Sequence, residues 1–256
     1  YITMKKIVSA VTTGLLTVAV CSGVAAQDGP ASNPVEMFTC DFRDGKGPSD
    51  LTAVANKFGK WSKDNSGEYS AWILYPAIKA TAEGFDVAWL GAWPSGASMG
   101  KFTTAYTDGD HGLAAQFDKV LDCADGHSMV VSYPVNTSNW STSDGLVSFS
   151  SCTLAEGKTG AEATAAHKQM SDIMVAKGSK ASNWMFWPAL GWGSDIEFDY
   201  YSVVAYSGYD ELGAAWDRYT TGDTMQKMNA IGDGVTDCDS PRVYSATLVV
   251  EGDLPQ

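Results

Sequence analysis

The sequence predicts an α+β fold built from two tandem copies of one β-α-β-β-α-β unit. Three observations lead there. The chain repeats itself at a spacing of about 112 positions. Its cysteines recur at matched places in both copies. Short aromatic, apolar runs alternate with stretches of helical periodicity.

The repeat is carried by residues in one order along the whole unit. Cys40 matches Cys152, Gly45-Lys46 matches Gly157-Lys158, Trp72 matches Trp184, and Pro76-Ala77 matches Pro188-Ala189. One inserted residue later, Phe85-Asp86 matches Phe198-Asp199, and Tyr106-Thr107 with Gly109-Asp110 matches Tyr219-Thr220 with Gly222-Asp223. Asp122-Cys123 then matches Asp237-Cys238. In the first copy, Met37–Phe42 reads as a strand. A helix follows with Ser49 as its N-cap, because Leu51, Val54, Ala55, Phe58 and Trp61 recur at helical spacing. Tyr69–Ile78 and Phe85–Trp93 read as a hairpin. A helical region broken at Gly109 leads to a strand at Met129–Val135. The second copy keeps the helical stripe at Ala163, Ala166, His167, Met170 and Ile173, with strands near Trp184–Leu190, Ile196–Tyr206 and Val243–Val250.

This order is the ferredoxin-like split unit. Four cysteines outside the leader segment allow three connectivities. In the ferredoxin-like arrangement the first and last strands are antiparallel neighbours, which pairs Cys40 with Cys123 and Cys152 with Cys238. No CxxC spacing is present, so no metal site is expected. Two such units on one chain, with apolar residues on both faces of the hairpin strands, resemble the dimeric α/β-barrel superfamily in fused form. The likeness rests on element order and covers nearly all the chain after the leader. It implies a pseudo-dimeric α/β barrel with pockets in the barrel or between sheet and helices. The superfamily holds cofactor-free monooxygenases, haem-handling enzymes, small-molecule isomerases and proteins without known activity, so the fold leaves function open.

The first 26 residues read as an export signal: Met4-Lys5-Lys6, an apolar run from Ile7 to Val20, and Val24-Ala25-Ala26 before the expected cleavage. Residues 27–36 and 137–146 read as linkers around units at 37–136 and 147–256. The expected product is periplasmic or secreted, with no membrane span after cleavage. Thirty acidic residues against 17 basic ones give a net charge of −13, which argues against nucleic acid and anionic membrane surfaces as partners. A fused pair supplies its own partner, so a monomer is expected.

Several residues are candidates for chemistry. Ser98 fits G-x-S-x-G within Gly96–Gly100 and also starts Ser98-x-x-Lys101, where the lysine would be its base. Set against this serine-hydrolase reading, Glu211 stands at the matched position, and the plain alternative is a helix start after the third strand. His167 replaces Ala55 on the helical stripe and could reach a pocket as a base or haem ligand. Asp86 and Asp199 sit at matched strand positions among aromatics, as acid or base if buried and merely solvated if at strand mouths. Nine tryptophans are a heavy load. Trp72, Trp89, Trp93 and Trp184, with Trp187 and Trp192, gather around the hairpin strands and either line an apolar ligand pocket or pack the barrel. The reading that follows is an exported protein binding a small, largely apolar ligand, with oxygenase, haem-related or isomerase chemistry left open. No cofactor is specified. A serine hydrolase and a non-catalytic scaffold are the alternatives.

Overall fold

The computed structural model describes residues 32–65, 67–79, 84–123 and 126–254; the leader read at residues 1–26 lies outside them. The first unit runs β1 (Asn33–Phe42), α1 (Pro48–Asn65), β2 (Ser70–Ile78), β3 (Val87–Ala92), α2 (Gly96–Asp108), α3 (Leu113–Phe117), β4 (Leu121–Asp122) and β5 (His127–Asn136). The second runs β6 (Gly145–Leu154), α4 (Gly160–Ala176), β7 (Ser182–Leu190), β8 (Tyr200–Tyr206), α5 (Tyr209–Thr220), α6 (Thr224–Gly232), β9 (Thr236–Cys238) and β10 (Arg242–Val250). β1 begins inside the stretch read as a linker, and the connection between units shortens to residues 137–144.

Eight long strands close into one antiparallel ring in the order β10-β2-β3-β1-β5-β7-β8-β6, with β6 returning to β10. Each unit contributes four adjacent strands. The seams β5–β7 and β10–β2 join the halves, so neither unit is left with an open edge. The short β4 and β9 add to the ends of β1 and β6. Cys123 directly follows β4 and Cys238 ends β9, and the bridges are Cys40–Cys123 and Cys152–Cys238, as the element order predicts.

The matched Pro-Ala dipeptides acquire a reason in the seams. Val243 pairs Ile78 and Tyr244 pairs Pro76, leaving Ala77 as the extra residue of a bulge. Met129 pairs Leu190 and Val130 pairs Pro188, leaving Ala189 extra in the same way. Proline lacks the N–H that a regular ladder needs, so it is tolerated where a bulge already interrupts pairing. A duplicated irregularity of this kind bends both seams alike.

Helix starts differ from expectation. α1 begins at Pro48, one residue before Ser49, because proline suits the first helical position, where no N–H is required. Asp50 then accepts from the Gly47 N–H at 3.2 Å. In α4 the matched place is Thr159, and Thr159 and Glu162 form a complete capping box.

Strand alternation sorts side chains into two regions. Val35, Trp72, Leu74, Ala92, Val130, Val147, Phe149, Phe186, Val203 and Tyr244 fill the barrel interior. Outside the sheet of unit 1, the helices bury Leu51, Val54, Ala55 and Phe58 against Tyr69, Ile73, Trp89, Trp93 and Phe102. The corresponding layer of unit 2 is thinner, centred on Cys152, Ala163, Met185 and Tyr200.

Candidate functional site

One end of the barrel is roofed by the connection between the units. Asp144 accepts from the Leu248 N–H at 2.7 Å, and Trp72 Nε1 donates to the Ser143 carbonyl at 3.1 Å, so both halves hold the strap down. Trp140, in the middle of the strap, rests on the tryptophans that the duplication relates. Its ring centroid is 5.8 Å from Trp72 and 4.8 Å from Trp184, the latter nearly edge-to-face at 84°. Such offset geometries are the favourable ones for aromatic pairs.

Below this roof lies a cavity of about 140 Å³. Its walls are residues of all eight long strands, Val35, Leu74, Leu90 and Phe186 among them, with the buried hydroxyls of Ser132 and Ser182 as polar points. Among the described residues the lining holds no lysine, arginine, histidine or cysteine. Its titratable members are Asp144 at the mouth and Tyr206, whose phenol is pushed above its ordinary range by burial. The surface is therefore mainly apolar and aromatic, with Asn33, Asn139 and several serines as its polar part, and without a positive charge.

The expected site residues divide between the two faces of the sheet. Trp72 and Trp184 line the cavity. Trp89 and Trp93 do not: they belong to the helix-side core of unit 1. The registers place Trp72 beside Leu90 and Trp89 beside Ile73, so Trp72 and Trp89 point to opposite sides. Trp89 Nε1 instead donates to the Tyr69 hydroxyl at 2.7 Å, and Tyr69 donates to Glu36. Burial, and then the neighbouring Glu36 carboxylate, hold the Tyr69 phenol well above its usual range. Trp187 lies against Tyr200 on the helix side, and Trp192 donates to the Met129 carbonyl at the other end of the barrel.

His167 is also on the helix side. Its Nε2 lies 2.9 Å from the Tyr200 hydroxyl, and burial lowers its pKa to about 4, so the ring is neutral at physiological pH. A haem held by His167 does not fit these residues. The imidazole is committed to Tyr200 behind the sheet, and the barrel cavity is far smaller than a porphyrin. Ser98 lies in the first turn of α2, capped by Ser95, and donates to Glu68 at 2.6 Å. No hydrogen bond joins it to the exposed Lys101 among the described residues. Asp86 and Asp199 are exposed and do the same structural task twice. Asp86 accepts from the Phe42 N–H at 3.0 Å and Asp199 from the Leu154 N–H at 2.6 Å, clamping the ends of β1 and β6.

The residue that sequence reasoning missed is Trp140. Its signal was available, a single large aromatic within the polar run Asn136–Ser143, but a linker gives no reason to weigh it.

No family model and no curated protein matches the sequence. Solved structures do match in fold. A candidate monooxygenase from Fusobacterium nucleatum superposes with a TM-score of 0.57 at 7% identity, covering 89% of this chain and 97% of that one. A candidate monooxygenase from Lactobacillus acidophilus NCFM gives 0.53 at 12% identity, covering 87% and 97%. A candidate chlorite dismutase gives 0.52 at 6%, covering 84% and 95%. With the closed eight-strand ring, these likenesses show the dimeric α/β-barrel fold, and at such identities they show the fold alone.

Proposed function

We propose that this protein binds one small, uncharged, largely apolar molecule, about the size of a single aromatic ring, in the barrel end beneath Trp140. The observation that carries the reading is the aromatic-walled cavity of about 140 Å³ between Trp72, Trp140 and Trp184. Cavities near ~150 Å³ with apolar walls accept benzene-sized guests. An anion would meet no counter-charge there and would face Asp144. The lining also favours binding over acid–base chemistry: among the described residues it holds no histidine, lysine or cysteine, and burial raises the Tyr206 phenol further from neutrality. Oxygenase activity, to which the names of two fold neighbours point, comes second for that reason, as does the isomerase chemistry that the sequence left open.

The test is a tryptophan-fluorescence titration with toluene, indole and benzoate. Toluene or indole should quench saturably, benzoate should bind at least ~10-fold more weakly, and Trp140→Ala should weaken the neutral ligands by ~10-fold or more while the fold persists. A flat response to all three, or a Trp140→Ala variant that binds equally well, defeats the reading and leaves the scaffold alternative. We further read the protein as exported and monomeric. Two disulfides suit an oxidising compartment, and no described helix is long and apolar enough to cross a membrane. Secreted protein beginning at Gln27, with the mass of one chain, is the expected outcome.

A further inference from the structure

We propose that reduction of the Cys152–Cys238 disulfide opens a three-ligand site for a thiophilic divalent cation, Zn²⁺ in the first instance, made by the two sulfurs and His167. The site lies behind the sheet, apart from the barrel cavity. Cys152 on β6 and Cys238 on β9 face one another directly in the register, and α4 lays His167 over them. One ligand atom from each of the three lies within 4.8 Å of the others. Bonds of roughly 2.3 Å to sulfur and 2.0 Å to nitrogen need ligand atoms somewhat closer than that, within the reach of side-chain rotation once the S–S bond is gone.

The surroundings suit the ion. Thr236 Oγ1 donates to the Thr153 carbonyl at 3.1 Å, which leaves it to accept from the Tyr200 hydroxyl at 2.6 Å. Tyr200 then accepts from His167 Nε2 at 2.9 Å, so Nδ1 carries the lone pair. Metal-binding histidines are commonly fixed in this way, through a hydrogen bond on the other ring nitrogen. Burial already keeps the imidazole neutral, the form a metal requires. Cys238 is exposed, with Asp237 beside it and Asp239 paired to Arg242, so the site can be reached from solvent. The duplication supplies an internal contrast, because Cys40–Cys123 has Ala55 where the second unit has His167.

The chemistry balances with a dithiol as reductant. The dithiol gives two electrons and two protons to the S–S bond and leaves as its own cyclic disulfide. The cation then displaces the two thiol protons as the metal–sulfur bonds form. An oxidising compartment keeps the site shut, and a reducing one opens it.

The test is an anaerobic Co²⁺ titration of the full chain, oxidised and reduced, followed by Zn²⁺ competition. Thiolate-to-cobalt charge-transfer and tetrahedral d–d bands should appear only after reduction and vanish on adding Zn²⁺. His167→Ala should weaken Co²⁺ by at least ~10-fold and alter the d–d bands. Cys40→Ser/Cys123→Ser should retain the spectrum, and Cys152→Ser should lose it, with circular dichroism confirming the fold of each. An unchanged spectrum in His167→Ala, or one that follows Cys40 and Cys123, overturns the proposal. Should His167→Ala unfold, the two serine variants still decide which cysteine pair holds the ion.

Discussion

The two units share one plan and pack it differently. On the helix side of unit 1, Phe58 is the hub of a ring cluster, within about 6 Å of Trp61, Tyr69, Trp89, Phe102, Tyr106 and Phe117. The repeat puts Met170, Ile173, Ala181, Ser202 and Ala215 where unit 1 has Phe58, Trp61, Tyr69, Trp89 and Phe102. Unit 2 has lost that cluster and carries an exposed Trp216 on α5 instead, 70% accessible. Tyr69 shows how bulk moves between strands. Its hydroxyl occupies the place a Cβ would take at Gly91, only 1.9 Å from that position. The repeat has the complement, Ala181 for Tyr69 and Val204 for Gly91. A duplicated backbone therefore tolerates divergent layers so long as each local volume is filled.

The contrast between the layers can be broken first where it is greatest, at the hub. Phe58→Ala should cost about 4 kcal/mol in denaturant unfolding, whereas Met170→Ala at the matched, less buried site should cost about 1–2 kcal/mol. Equal losses would mean that the layers are equally dense. Gly91→Ala should cost about 2–3 kcal/mol, since Tyr69 must move or the strands must part; near-neutrality in the same assay would deny the notch its role. The last expected effect is that of His167. Its folded pKa, about 4, lies below the ordinary 6.5. The unfolded chain therefore takes up the proton first as pH falls. The stability is complete above pH 6.5 and is lost between 6.5 and about 4, reaching about 2 kcal/mol once partial exposure is allowed for. His167→Gln should flatten that part of the pH–stability curve relative to the parent, and an unchanged slope would assign it to other groups.

How far these features can be read from sequence follows their range. The cysteine pairs and the Pro-Ala dipeptides repeat because they serve the backbone, and each could be placed from one unit's plan. The division of the tryptophans could not. Strand parity says that Trp72 and Trp89 alternate with their neighbours, but only the register at Leu90 and Ile73 says which of them faces inward. Trp140 was harder still, because its role exists only after the two halves close and draw the connection across one barrel end. His167 was visible as an oddity on a helical stripe. Its setting beside Cys152, Cys238 and Tyr200 needed the fold.

The strap has one more consequence. Two equal halves around an axis would offer a guest two equivalent poses, and nothing in such a mouth would distinguish them. A single connection cannot obey that symmetry. By crossing the axis once, with Trp140 edge-on to Trp184 at 84° and tilted at 54° to Trp72, it lifts the degeneracy. The proposed site beneath Trp140 is thereby made unsymmetrical, and a guest there would be held in a preferred sense.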